Sequence, residues 1–287
     1  MEDELWRELY RIVQRLAKGK RRLRCKYTAA DVLLVYLFGV LRDRSTHWAC
    51  QRRHWPIWLR RRMIPSPATM SRRLSETDVQ ALFIELEQTI RSQASPSLCR
   101  WIDGKPLPIG GASQDREAGF GRAAGTMAKG YKLHAIAEES QGLIAWTIRP
   151  MNVNESKAAE ELIPQLQDGE YLVGDNAFDN NKLYEAAAER AVQLIAPRRR
   201  GLKGIGHIRQ SPHRLKSIAL LDQPLGKELL RSRRGIERLF GQLTTMPCGL
   251  SPLPNWVRGL KRVTNWVRGK IIYFMLWRNL RRANATS

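Results

Sequence analysis

The feature that most constrains this chain is a change of hydrophobic period near residue 95. Before it, apolar residues recur at helical spacing; after it, short apolar runs alternate with helical segments. Leu5, Leu9, Ile12, Val13 and Leu16 form one helical stripe, and residues 28–41 form a second apolar helix with Thr28 as its cap. In the Arg-rich stretch that follows, Trp48, Trp55 and Trp58 can anchor a small core while the guanidinium groups face outward. In SPATMSRRL, Ser66 and Pro67 open a short helix that carries Arg72 and Arg73. That helix is either the groove-reading helix of a helix-turn-helix or an ordinary capped surface helix, and the basic surroundings favour the first. The polar segment RSQASPS then marks a boundary.

Beyond it, residues 98–103, 131–138, 143–150, 171–175 and 192–197 read as strands, and 155–166 and 180–191 as helices. An antiparallel start followed by strands alternating with helices implies an α/β fold, a mixed five-stranded sheet covered on both faces. From Pro197 to about Lys227 runs a basic, Gly-rich connection suited to DNA contact or movement, then a helix over roughly 227–245. A final helix, 256–282, is expected to pack Val263 to Leu276 onto the sheet. The reading is an all-helical domain at 1–95, a catalytic domain at 96–246 and a C-terminal helix at 247–287. The pentapeptide NWVRG occurs at 255–259 and 265–269; an offset of ten residues is about 2.8 turns, so the copies face different ways and form no array.

Charge narrows the partner. Lys and Arg number 49 against 27 Asp and Glu, a net charge of +22. Such an excess repels itself unless a polyanion balances it, and Arg pairs with phosphate through two donors at once. Nucleic acid is the expected partner and a membrane surface the lesser alternative. No apolar run approaches the roughly 20 residues of a spanning helix, and the N-terminus is acidic and amphipathic, unlike a signal peptide. A cytoplasmic protein is expected. Cys25, Cys50, Cys99 and Cys248 are scattered with no CxxC pair, which suggests neither a zinc site nor a disulfide framework.

Three acids stand out. Asp103 closes the first strand in WIDG and Asp175 a later one in LVGDNAFD, so each carboxylate emerges where a buried strand reaches the rim of the sheet. Glu237 lies on a helix whose packing face is Ile236, Leu239, Phe240 and Leu243, with Arg233, Arg234 and Arg238 around it. Taken singly, each acid has a local explanation: a turn before Gly104, an Asx turn, and a pairing with Arg233. Lys132 and His134 share a strand face and could sit beside DNA, His134 as a general base or as a structural hydrogen bonder. Arg198, Arg199 and Arg200 read as phosphate contacts or a solvated charge run. Asp115, Asp179 and Asp222 are the acids in reserve.

In order, the segments WIDGKPLPI, GYKLHAI, YLVGDNAFD, APRRRG and RRGIERLFGQL resemble the blocks of the DDE transposases of bacterial insertion sequences, over roughly residues 98–280. The resemblance implies an RNase-H-like catalytic domain with Asp103, Asp175 and Glu237 holding two Mg²⁺ or Mn²⁺ ions, Asp103 bridging them. It implies double-stranded DNA as partner, both transposon ends recognised at terminal inverted repeats and target DNA; the contacts expected from the chain's own basic and strand-face residues are Arg72, Arg73, Lys132, His134, Arg198, Arg199, Arg200, Arg233 and Arg234. It further implies strand cleavage by water, strand transfer by the freed 3′-OH, a homodimer in the active complex, and a place on the bacterial nucleoid. In the group with a Tyr, Arg, Glu, Lys signature, Arg233 and Glu237 match, whereas Leu230 and Thr244 stand at the Tyr and Lys positions. A structure-specific nuclease of the same fold, or an inactive DNA-binding repressor, are the alternatives.

Overall fold

Helix starts along the chain are written in short polar side chains. Thr28, Ser45, Ser66, Asn154, Asn180 and Ser211 each accept a hydrogen bond from a backbone N–H of the helix they precede, satisfying donors that would otherwise be orphaned. At Thr28 the bond is reciprocal, because the Asp31 carboxylate accepts from the Thr28 N–H in return. The computed structural model describes residues 1–20, 25–59, 63–91, 97–123, 125–167, 169–199, 209–250 and 252–286.

The chain divides into two compact units. One comprises Met1–Ser92, Leu243–Trp256 and Asn265–Ser287. It contains α1 (Glu2–Ala17), α2 (Ala29–Leu41), α3 (Thr46–Ala49), α4 (Pro67–Arg73) and α5 (Thr77–Ile90). Around Phe38 of α2 the rings of Trp6, Trp48 and Trp55 close to centroid distances of 5.2, 5.6 and 4.5 Å, so Trp48 and Trp55 anchor the core of this unit as expected, whereas Trp58 is 53% exposed and the third ring is that of Trp6. The other unit comprises Gln93–Gln242 and Val257–Thr264. Its elements are β1 (Cys99–Pro108), β2 (Gly119–Ala123), β3 (Thr126–Glu138), β4 (Gly142–Pro150), α6 (Glu155–Leu162), β5 (Tyr171–Val173), α7 (Asn181–Ala188), β6 (Gln193–Ile195), α8 (Pro212–Leu221), α9 (Pro224–Ser232) and the start of α10 (Arg234–Thr245). The final helix, α11, spans Leu260–Thr286.

The sheet is mixed, and its main body runs β4-β3-β1-β5-β6. Pairings β4·β3 and β3·β1 are antiparallel, β1·β5 and β5·β6 parallel, the RNase-H-like arrangement. Among the described residues it has six strands where five are expected. The extra one, β2, pairs with the first part of β3; its sequence GFGRA is too poor in apolar residues to announce a strand. Packing on the sheet comes from Ile102, Leu172 and Leu194 of the strands and Leu162, Leu183 and Tyr184 of the helices, all buried.

Three further expectations are corrected. Residues 212–221 of the supposed connection form α8, whose buried positions are Arg214 and Ser217; its inward face bonds Asp179 instead of filling an apolar core, so no hydrophobic stripe reveals it. The helix expected at 227–245 is two helices broken at Arg233. Of the C-terminal helix, expected to pack Val263 to Leu276 on the sheet, residues 265–287 group with the N-terminal helices. There the Tyr273 hydroxyl donates to the Leu37 carbonyl at 3.0 Å, and a side chain at Gly269 would press on Val40. Apolar periodicity showed that this helix is buried but not against what.

Gly235, the second residue of α10, lies against the Trp101 ring, where an added Cβ would come within 2.4 Å. The Trp101 indole N–H also donates to the Ser232 hydroxyl at 2.9 Å. This contact holds α10 on β1. Gly235→Ala is expected to destabilise the protein by about 1–3 kcal/mol in chemical denaturation, since neither ring nor helix backbone can yield cheaply.

Candidate active site

β1 and β5 run parallel for three residues only, ending at the pair Trp101 and Val173. Two residues beyond that pair on each chain stand Asp103 and Asp175, level with one another where the strands part. The position is not a strand end for β1, which continues to Pro108 beside β3 alone. Pro106 and Pro108 are tolerated there because that stretch has lost its β5 neighbour. Each carboxylate keeps its local bond: Asp103 accepts from the Gly104 N–H at 2.7 Å and Asp175 from the Ala177 N–H at 2.8 Å.

The third acid arrives through α10. At the break between α9 and α10, the Arg233 guanidinium donates to Asp103 at 3.0 Å and to Glu237 at 2.7 Å. The local explanations for all three acids are therefore present, and Arg233 joins two of the acids into one cluster. Side chains there are 19% exposed at Asp103, 26% at Arg233 and 54% at Glu237, a gradient from sheet to solvent. Burial pushes the Asp103 carboxyl up to about 6, with Asp175 and Glu155 adding to it and the Gly104 N–H and Arg233 opposing. Burial likewise raises Asp175, with Glu155 adding to it and the Ala177 N–H, Arg233 and Lys132 opposing.

Glu155 is the residue the sequence reading missed. It opens α6 directly after the Asn154 cap, receives Lys132 Nζ at 2.9 Å, and acts electrostatically on both aspartates. The cap was the available signal, since a carboxylate in a first helical turn is stabilised by the helix dipole. Gly104 leaves the space between these groups open: a Cβ there would meet Lys132 Cδ at 2.8 Å and Glu155 Oε1 and His134 Nδ1 at 3.3 Å.

Among the described residues, no three Asp, Glu, His or Cys side chains are gathered closely enough to hold a metal ion. The donor chemistry nevertheless fits a hard divalent cation. It is all carboxylate oxygen, partly desolvated, and already bridged by a positive group at Arg233.

The family model described as Transposase DDE domain matches residues 94–272. The chain belongs to that family. Among solved structures, the transposase is similar to one titled "Cryo-EM structure of piggyBac transposase synaptic complex with hairpin DNA", at 12% identity and a TM-score of 0.46, covering 98% of this chain and 74% of that one. Nothing among the curated proteins matches it.

The remaining residues sort by exposure. Arg234 and Arg72 are exposed; Arg73 is buried, bonding Glu76, Asp78 and the Tyr27 carbonyl, and so is withdrawn from any DNA groove. His134 is 1% exposed with neither ring nitrogen hydrogen-bonded, which overturns both its place beside DNA and its structural hydrogen bond. Burial first, then Lys132 and Arg149, holds its ring down to about 4, with Glu161 opposing; it is neutral at physiological pH. Lys132 is mostly covered and engaged by Glu155. Arg198 and Arg199 are exposed, and Arg199 donates to the carbonyls of Asn176 and Ala177, bracing the Asp175 loop. Arg200 lies outside the described residues. Of the reserve acids, Asp179 is buried under two bonds from Arg214 at 2.6 and 2.8 Å, Asp115 binds the Tyr131 hydroxyl and the Gly259 N–H, and Asp222 caps the end of α8.

The raised Asp103 carboxyl gives a pH prediction. Its folded value lies above the unfolded one near 4, so the stability it contributes is full below pH ~4 and lost as pH rises through about 6. Asp103→Asn keeps the acceptor for Gly104 and removes the charge. In metal-free buffer the variant should match the parent near pH 4 and exceed it by about 1–3 kcal/mol at pH 7.5. A constant difference across that range in urea titrations would reject the assignment of a strained, buried carboxylate.

Proposed function

We propose that this transposase binds double-stranded DNA at the terminal inverted repeats of its element, cleaves a strand there and joins the freed 3′-OH to target DNA. The observation that supports the reading is the meeting of Asp103 and Asp175 where β1 and β5 part, with Arg233 joining Asp103 to Glu237. Asp103 and Asp175 come from the rigid sheet and Glu237 from a helix packed on it, so the set can be held to the tolerance that phosphoryl transfer needs.

Asp103, Asp175 and Glu237 would hold two Mg²⁺ or Mn²⁺ ions. When bound, such ions activate the attacking oxygen and stabilise the leaving one in an in-line displacement. Arg233, bonded to Asp103 and Glu237, can turn to a DNA phosphate when they are otherwise compensated. Arg199 fixes the loop that carries Asp175. Arg198, Arg234 and Arg72 are the exposed cations suited to the DNA backbone. Two ends must be brought together, which favours a homodimer in the active complex, and DNA as substrate places the protein on the bacterial nucleoid in the cytoplasm. No described helix is long and apolar enough to cross a membrane.

The test is incubation of purified protein with Mg²⁺ or Mn²⁺, labelled element-end DNA and a target plasmid, with cleavage and joining scored separately. Joined product from the parent, and background levels from Asp103→Ala, Asp175→Ala and Glu237→Ala, are expected. Cleavage without joining would mean a nuclease, and metal-dependent cleavage surviving in all three variants would remove the site. Duplex binding should also fall by about a thousandfold or more between roughly 50 and 200 mM salt, the response to several neutralised phosphates.

A further inference from the structure

The unit that contains α1 and α2 carries a second concavity, built from residues 3–58 and made of chemistry different from the acidic cluster. It is a cavity of about 480 Å³, within the range of small-ligand sites. Aromatic rings form its walls. Trp6 and Trp55 stand nearly perpendicular at 5.9 Å, and Trp58 meets the Tyr10 ring edge-on at 5.5 Å. Trp58 is 53% exposed, with Ile57 beside it at 79%, which is costly for an indole that serves only the core.

Charge gives the cavity a direction, while Trp6, 2% exposed with its indole N–H buried, serves as wall. Around the same cavity stand Arg7, Arg42 and Arg53 against the single acid Asp3, and Asp3 is already paired with Arg42 at 2.9 Å. Exposed aromatic surface and an excess of guanidinium select a flat ring carried on an anion.

We infer that this cavity receives one unstacked nucleotide of bound DNA, its base lying against Trp58 and its phosphate meeting Arg7 or Arg53. The inference rests on the reading of this protein as DNA-binding. It requires nothing of the acidic cluster, and it gives the helical unit a part in selecting distorted or frayed DNA. Stacking of one base on an aromatic ring is worth a fold-change of about five or more.

The test compares, by fluorescence anisotropy on the full chain without metal, a duplex with one extrahelical nucleotide and the same duplex without it. The parent should bind the bulged duplex at least about fivefold more tightly. Trp58→Ala and Arg53→Gln, both at exposed positions, should reduce that preference toward one while leaving affinity for the uninterrupted duplex within about twofold. A 5-iodouracil at the extrahelical position should photocrosslink to the peptide containing Trp58. A parent without preference, or a preference and crosslink that survive Trp58→Ala, overturns the cavity's role while the DNA reading stands. Failure of the parent to bind either duplex overturns both.

Discussion

The parting of β1 and β5 after three paired residues is what the site depends on. Were the parallel pairing to continue, Asp103 and Asp175 would be neighbours within the sheet, on the face that Trp101 and Val173 share. Because it stops at Trp101 and Val173, two carboxylates emerge side by side at the edge of an apolar core. Burial then raises both, with Asp175 and Glu155 adding to the rise at Asp103 and Glu155 to that at Asp175. The arrangement is electrostatically uncomfortable in the way functional sites commonly are, a local cost offset by the packing of the sheet around it.

Cations already present partly relieve that cost. Arg233 spans Asp103 and Glu237, and Lys132 meets Glu155. Both positions arise from the fold in simple ways. Arg233 sits where the helix breaks, and the close contact of Gly235 with Trp101 sets that break above β1. Lys132 lies two residues from His134 on the strand that borders Asp103 and Gly104. An internal counter-ion on a flexible side chain can be exchanged for another cation, so the acids are retained at limited cost to folding.

Much of this was legible in the sequence. Strand positions of 131–138 and 143–150 follow from apolar pattern and the turn between them, and the caps at Thr28 and Ser66 follow from residue type. Asp103 and Asp175 could be picked because each follows an apolar run. What was not legible shares one cause, that polar partners are chosen in space. Arg73 looked like a surface cation until Glu76 and Asp78 enclosed it, α8 hid because its inward face is Arg214, and Glu155 became part of the site only when α6 returned to Lys132. The destination of α11 was equally closed to periodicity, which reports burial without naming the neighbour.

The claim that these three acids form one cation site, held closed by Arg233, is tested most directly by Mn²⁺ binding to the DNA-free protein, followed by electron paramagnetic resonance. The account predicts saturable binding in the parent, weakened in Asp103→Asn, Asp175→Asn and Glu237→Gln, and tightened in Arg233→Gln, where the competing guanidinium is gone. Binding that is unchanged in the three acid variants, or weakened by Arg233→Gln as much as by them, would contradict it.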